Sequence, residues 1–255
     1  MARSRPGFYE TIEYIGPRPQ KPKRRPFFGG WVILVIAAGI ATWFGHPLVP
    51  MLKATQQGAS IEQAALLISS LRDDGKPGSA LAAQALALSG EDITYDAAYY
   101  KIDYPGGDIT TGKGNAADVV IRCLRGIGID LQLEVHEDMT RNFRRYPQLW
   151  SAMKADPNID HRRIPNLERF FERHGQSLTP TRDHADYHFG DIVVWSLADA
   201  EKHIGIIVPG PGERSNQPWV VHHKDTRIKW EDVLFDYKIE AHFRYPKHAE
   251  NPAGK

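Results

Sequence analysis

The chain has 255 residues, with 32 Lys and Arg against 31 Asp and Glu, and a formal net charge of +1. This length suffices for one globular domain with additional segments, and a net charge so close to zero gives no reason to expect a nucleic-acid partner. Cys123 is the single cysteine, which excludes an internal disulfide.

The N-terminal 52 residues predict a basic tail followed by a membrane anchor. Residues 1–26 hold seven Arg and Lys, two Glu and five Pro, which is typical of an extended cytoplasmic tail. Residues 27–52 contain no Asp, Glu, Lys or Arg and are long enough to cross a lipid bilayer as one transmembrane helix. Because the positive charges precede this segment, we expect a single-pass protein of the bacterial inner membrane with its domain in the periplasm or extracytoplasmic space. A cleaved signal peptide and a buried core helix are the alternatives.

The segment after the anchor predicts a linker that leads into one domain. Ser60 and Gln63 form a capping-box pair ahead of an apolar run, so residues 53–78 are expected to be a helical linker. The globular domain is expected over residues 79–246, and the polar residues 247–255 are expected to be a disordered tail.

Four helices are predicted in the first two thirds of this domain. They cover residues 79–88, 115–125, 136–146 and 165–173, with Gly or Pro at or shortly after each end. In the second helix, Ala116, Val120, Cys123 and Ile127 recur at helical spacing and share one face. That face is therefore predicted to be buried.

Short β-branched and aromatic runs follow the helices and predict an antiparallel sheet. The runs are DIVVWS, HIGIIV, WVVHH, WEDVLF and KIEAHFRY. In the first three, His203 opens the second strand and His222 or His223 closes the third, so two imidazoles can meet across adjacent strands. Gly205, beside His203, leaves the sheet surface without a side chain and allows close approach by a neighbour. Helices followed by strands predict an α+β domain.

Longer motifs carry a resemblance to a known family. They are YDAAYYKIDYPGGDI, ADVVIRCLRGIGIDLQLEVHEDM, YPQLW, DPNIDHRRIPNLERFF, GDIVVW, HIGII and EDVLF, in this order over residues 80–245. In these motifs the chain resembles the DUF1287 family of bacterial exported proteins, whose members look like relatives of NlpC/P60 and papain-like cysteine peptidases and amidases. The resemblance implies a papain-like domain, with helices packed on an antiparallel sheet, that acts on peptidoglycan stem peptides without a cofactor.

The resemblance also assigns the catalytic positions. Papain-like chemistry needs a thiolate at the start of the central helix, an imidazole on a facing strand, and a third polar group that orients the imidazole. His203 matches the base and His222 the orienting residue, with His223 as the alternative. The family pattern at the helix start reads Gly-Val-Cys-Thr-Asp, and this chain has Ala116 at the thiol position. Cys123 lies almost two turns further along and is expected to be an inert core thiol.

Substrate-binding residues are expected in motifs that also match the family. Asp118, His161 and Arg162 are the candidates, with His223 on a neighbouring wall. Arg162, together with Arg163, would bind a substrate carboxylate through bidentate hydrogen bonds. The alternative is that these charges form structural ion pairs.

Three functions remain open from the residues alone. The first is an exported cysteine amidase or endopeptidase whose nucleophile position holds Ala116, either as an inactivated variant or as a natural pseudoenzyme. The second is a non-catalytic module that binds wall peptides or a protein partner. The third is a metal-dependent hydrolase that uses His203, His222 or His223 with Asp225, or a site near Asp160 and His161.

Overall fold

The computed structural model describes residues 62–197, 201–224 and 227–247, together with residues 16, 34, 35 and 37–39. The predicted basic tail 1–26, most of the predicted anchor 27–52 and nearly all of the predicted tail 247–255 lie outside the described residues. Residues 34, 35 and 37–39 of the predicted anchor are helical. Among the described residues, we find no helix with the length and apolar character that crossing a membrane requires.

Helices occupy the first part of the described domain, as predicted. A helical segment covers residues 62–73, and α1 (Pro77–Leu88), α2 (Ala116–Gly126), α3 (Leu131–Asn142) and α4 (Ile164–His174) follow. Helix α3 begins five residues before the predicted position 136, because the side chain of Asp130 accepts a hydrogen bond from the Gln132 N–H and caps the helix there. The chain leaves the α-helical conformation after Asn142 in a 3₁₀ turn, Phe143–Arg145.

The strands form two sheets. A short parallel pair joins β1 (Thr94–Tyr95) to β2 (Lys113–Gly114). The main sheet has the order β3-β8-β4-β5-β6-β7 and every pairing in it is antiparallel. Its strands are β3 (Gln176–Leu178), β4 (Ile192–Ser196), β5 (Lys202–Pro209), β6 (Pro218–Lys224), β7 (Arg227–Glu231) and β8 (Lys238–Arg244). The predicted α+β class with a helix-covered antiparallel sheet is therefore confirmed.

One predicted strand is misplaced. The run WEDVLF was expected to form a strand, but β7 ends at Glu231 and residues 232–237 form bends and turns. Leu234 of this run is buried even though it lies outside the strand. Leu234 packs against Trp195 outside the sheet, and its carbonyl oxygen accepts a hydrogen bond from the Trp195 indole N–H at 2.9 Å.

Both faces of the central strands are covered. On one face, side chains such as Ile204, Ile206 and Val221 pack against the helices in the main hydrophobic core. On the other face, Trp195 and Ile207 belong to a second cluster. This two-sided burial explains why the central strands read as continuous apolar runs rather than as alternating ones.

Strand β8 was predicted to bury one face only, and this is wrong near its end. His242 is buried as well as Phe243. Its Nε2 lies 2.8 Å from a carboxylate oxygen of the buried Asp191, which also accepts hydrogen bonds from Arg244. His242 is thus buried at a position expected to be exposed, because the buried Asp191 carboxylate is there to form a hydrogen bond with it.

Candidate active site

A cleft of about 710 Å³ opens at the start of α2 and at the end of the sheet where β5 begins. The residues that line it include Tyr95, Ala116, Trp150, Arg162, Arg163 and His203. The cleft therefore contains both the predicted nucleophile position and the predicted base.

Helix α2 starts with a capping box, one residue after the predicted helix start at Asn115. The Asn115 side chain accepts a hydrogen bond from the Asp118 N–H at 3.1 Å, and the Asp118 carboxylate accepts one from the Asn115 N–H at 2.7 Å. Ala116 is the first residue of the helix, where backbone N–H groups and the helix dipole favour negative charge. A methyl group at this position provides no nucleophile.

His203 and His222 meet across β5 and β6, as predicted. His203 Nε2 lies 2.8 Å from His222 Nδ1, and both side chains are buried. By strand alternation the two imidazoles lie on the Trp195 face of the sheet, with ring centroids 6.0 and 6.4 Å from that indole. His203 is the second residue of β5 and lines the cleft at this end of the sheet, as does Ala116, whose helix packs on the opposite face of the sheet.

The neighbour that uses the space at Gly205 is His222 itself. Gly205 pairs with His222 in the β5–β6 register. A Cβ built on Gly205 would lie 2.8 Å from Val220 Cγ1 and 3.1 Å from His222 Cβ. The glycine therefore allows the close approach of β6 at Val220, Val221 and His222.

His223, expected to bind substrate, is not among the residues that line the cleft. Strand alternation places it on the helix-facing side of β6, where it is fully buried. Its Nε2 lies 3.1 Å from the Ile93 carbonyl oxygen and its ring packs against Tyr95. Burial lowers the pKa of His223. This histidine connects β6 to the segment that contains β1.

Asp118 and Arg162 bind each other. Arg162 donates from Nε to Asp118 Oδ1 at 2.8 Å and from Nη2 to Oδ2 at 2.9 Å, and both side chains are buried. The remaining guanidinium donors reach the carbonyl oxygens of Ala98 and Asp96. The bidentate edge expected to hold a substrate carboxylate is thus occupied within the protein, and the structural ion pair is the better description.

His161 is also buried and is not among the residues that line the cleft. Burial, together with the positive charges of Arg162 and Arg125, lowers its pKa to about 4. The imidazole is therefore neutral near pH 7, and direct contact with a substrate in this cleft does not follow from its position.

Trp150, to which the sequence analysis gave no role, lines the cleft together with Arg163. The guanidinium of Arg163 lies 4.1 Å from the ring centroid of Trp150, within cation–π range. Tyr95, Tyr99 and Leu149 also line the cleft and add exposed apolar surface to it. The motif YPQLW had signalled the position of Trp150, but nothing local indicated that it faces Arg163.

Two further expectations concern Cys123 and metal binding. Cys123 is buried in the helix-side core, and burial raises the pKa of its thiol, in agreement with an inert packing role.

In the described parts of the domain, no group of three or more His, Cys, Asp or Glu is placed to hold a metal ion. Asp225, one residue of the metal hypothesis, lies outside those parts.

Comparisons with known proteins agree on a family. The family model described as "Domain of unknown function (DUF1287)" matches residues 82–245. A relative from Escherichia coli (strain K12), named "Uncharacterized protein YijF", is 44% identical over 166 residues, which cover 65% of this chain and 80% of that protein. No solved structure matches the chain.

Proposed function

From membership of the DUF1287 family, to which this chain belongs, we propose that the cleft binds peptidoglycan stem peptides in a site built like that of a cysteine amidase or endopeptidase. The nucleophile position holds Ala116, so the chain binds such peptides without cleaving them through a thiol. The NlpC/P60 and papain-like relationship is part of this proposal.

The observation that carries the proposal is the His203–His222 hydrogen bond at a cleft that also contains the start of α2. A thiolate nucleophile needs an imidazole held by a second polar group and the positive end of a helix, and both of these border this cleft. A buried histidine pair has little structural reason to border an open cleft, since it would be satisfied equally well inside the core.

The composition of the cleft supports a peptide ligand. Exposed Tyr95, Tyr99 and Trp150 offer apolar surface, and Arg163 places a positive charge beside them. Ligand sites combine apolar walls with a few polar groups that fix orientation. Stem peptides carry carboxylates as well as apolar side chains, and they match this combination.

The test is a comparison of purified muropeptides with the natural chain and with Ala116→Cys. Titration calorimetry should detect binding to both proteins, and mass spectrometry should detect cleavage only with Ala116→Cys. Ala116→Ser serves as a matched control, because it adds a poor nucleophile of similar size. Absence of binding to either protein would overturn the peptide-binding proposal.

A second candidate, a module that binds a protein partner, is favoured by one observation. Leu149 and Met153 are exposed at 65% and 93% on the segment that carries Trp150. Exposed apolar residues that cluster on one surface are typical of interaction sites. Loss of partner capture in Met153→Ser, with muropeptide binding unchanged, would support this candidate.

We also propose that the domain is anchored outside the cytoplasm. Support comes only from the sequence, in which the uncharged residues 27–52 follow seven Arg and Lys. The proposed bilayer contact and the proposed peptide ligand are consistent, since peptidoglycan lies outside the inner membrane.

A further inference from the structure

Glu231 lies on the opposite side of His222 from His203. Its Oε2 is 3.4 Å from His222 Nε2, while His222 Nδ1 is 2.8 Å from His203 Nε2. Both ring nitrogens of the buried His222 are therefore engaged, one by a carboxylate and the other by the candidate base. The other carboxylate oxygen of Glu231 lies 3.7 Å from Lys229 Nζ.

The register of the sheet places Glu231 at this position. In the β6–β7 pairing, Glu231 is opposite Val220 and Lys229 is opposite His222. Val220 and His222 are two residues apart and share a face, so Glu231 is the diagonal neighbour of His222 on that face. The position of the carboxylate therefore depends on where β7 pairs with β6.

We infer that Glu231 is a positioning residue that fixes the tautomers of both histidines, an inference that rests on the proposed function of the cleft. A carboxylate only accepts hydrogen bonds, so His222 Nε2 must carry the proton. A neutral His222 then has a lone pair on Nδ1, which accepts from the Nε2–H of His203. The lone pair of His203 is consequently on Nδ1.

This tautomer determines what His203 offers to a ligand. With a cysteine at position 116, Nδ1 is the nitrogen that takes the thiol proton, and the resulting imidazolium is stabilised through His222 by the carboxylate. With Ala116 in place, Nδ1 is a hydrogen-bond acceptor.

Nitrogen NMR of the full chain with labelled histidines tests the inference. At about pH 8, above the ordinary histidine pKa of roughly 6.5, both His203 and His222 should carry their proton on Nε2. In Glu231→Leu the acceptor is gone, and the protonated Nδ1 fraction of His222 should rise several-fold. Glu231→Gln keeps an acceptor oxygen and should retain the original tautomers. Glu137→Leu, at an exposed glutamate of α3, is the control and should change nothing.

The inference would be overturned if the Nε2 of His222 carried no proton in the unmodified chain. It would also be overturned if both histidines kept the same tautomers in Glu231→Leu as in the unmodified chain. The NMR measurement needs neither ligand nor activity, so its failure is distinguishable from failure of the proposed function. A second readout is alkylation of Ala116→Cys, which should be several-fold slower when Glu231→Leu is added and nearly unchanged with Glu231→Gln. Equal alkylation rates in all three proteins would also contradict the positioning role.

Discussion

Gly205 on β5 lies opposite His222 on β6, and a Cβ at residue 205 would lie only 3.1 Å from the Cβ of His222. Because His222 contacts His203, this backbone position controls the geometry of the candidate catalytic pair.

Gly205→Ala should therefore separate the two imidazoles. Its Cβ would meet Val220 Cγ1 at 2.8 Å and the Val221 carbonyl oxygen at 3.0 Å, so the sheet or His222 must shift. We expect a loss of about 1–3 kcal/mol in the free energy of unfolding, measured by urea denaturation, because overpacking a buried site costs this amount. Gly90→Ala is the control, since a Cβ there meets only an oxygen at 3.7 Å. Equal stability of both variants would contradict the proposed role of Gly205.

Ala116→Cys should create a reactive thiol. The helix start and His203 should lower the pKa of the new thiol below the ordinary value of roughly 8.5, so iodoacetamide should alkylate it between about pH 6 and 7. Adding His203→Ala should slow the reaction, and adding Cys123→Ser should have no effect because Cys123 is buried. Peptide mapping by mass spectrometry locates the alkylated residue. A reaction rate that does not depend on His203 would favour the non-catalytic binding module.

Arg162→Met should destabilise the fold strongly. It leaves the carboxylate of Asp118 buried without its guanidinium partner, which costs on the order of 3–5 kcal/mol. Arg141→Met breaks the exposed Arg141–Glu137 pair and should cost less than about 1 kcal/mol. Chemical denaturation measures both. If Arg162→Met kept its stability and lost only muropeptide binding, the substrate-clamp assignment of Arg162 would be restored.

His161 should make the folded state sensitive to mild acid. Its pKa is about 4 in the folded chain and roughly 6.5 when unfolded, so the unfolded state binds more protons between these values. Its contribution to stability is complete above about pH 6.5 and is lost as the pH falls towards 4, by roughly 3 kcal/mol in total.

The free energy of unfolding, measured at several values between about pH 6.5 and 5, tests this expectation. The slope against pH should be smaller in His161→Gln than in the natural chain. His184→Gln, at an exposed histidine, should keep the original slope. Identical slopes in His161→Gln and the natural chain would show that His161 titrates in the folded state as it does in the unfolded state.

The chain should fractionate with membranes and require detergent for release. The uncharged residues 27–52 and the positive charges before them are the reason. Protease added to spheroplasts should digest the domain, whereas a cytoplasmic marker protein should survive. A mature protein that starts after residue 50 would instead indicate a cleaved signal peptide.

Several features of the site could be predicted because they depend on residues close together in the chain. The bounds of α2 were predicted to within one residue, as 115–125 against the observed Ala116–Gly126, because helix ends depend on nearby residues. His203 and His222 lie on consecutive strands of a meander, so strand alternation predicted that His203 meets His222 or His223, and the structure shows that the partner is His222. The burial of Cys123 followed from helical periodicity.

Other features were decided by the tertiary structure alone. Arg162 and Asp118 are 44 positions apart, and composition does not distinguish an arginine that binds a ligand from one that binds a buried carboxylate. The β6–β7 pairing, which brings Glu231 to His222, could not be predicted from the run WEDVLF, most of which lies outside the strand. Local periodicity determines which elements form and which side chains share a face. Which distant charges pair, and which face borders a cleft, depends on how those elements pack, and this information is not contained in any single stretch of the chain.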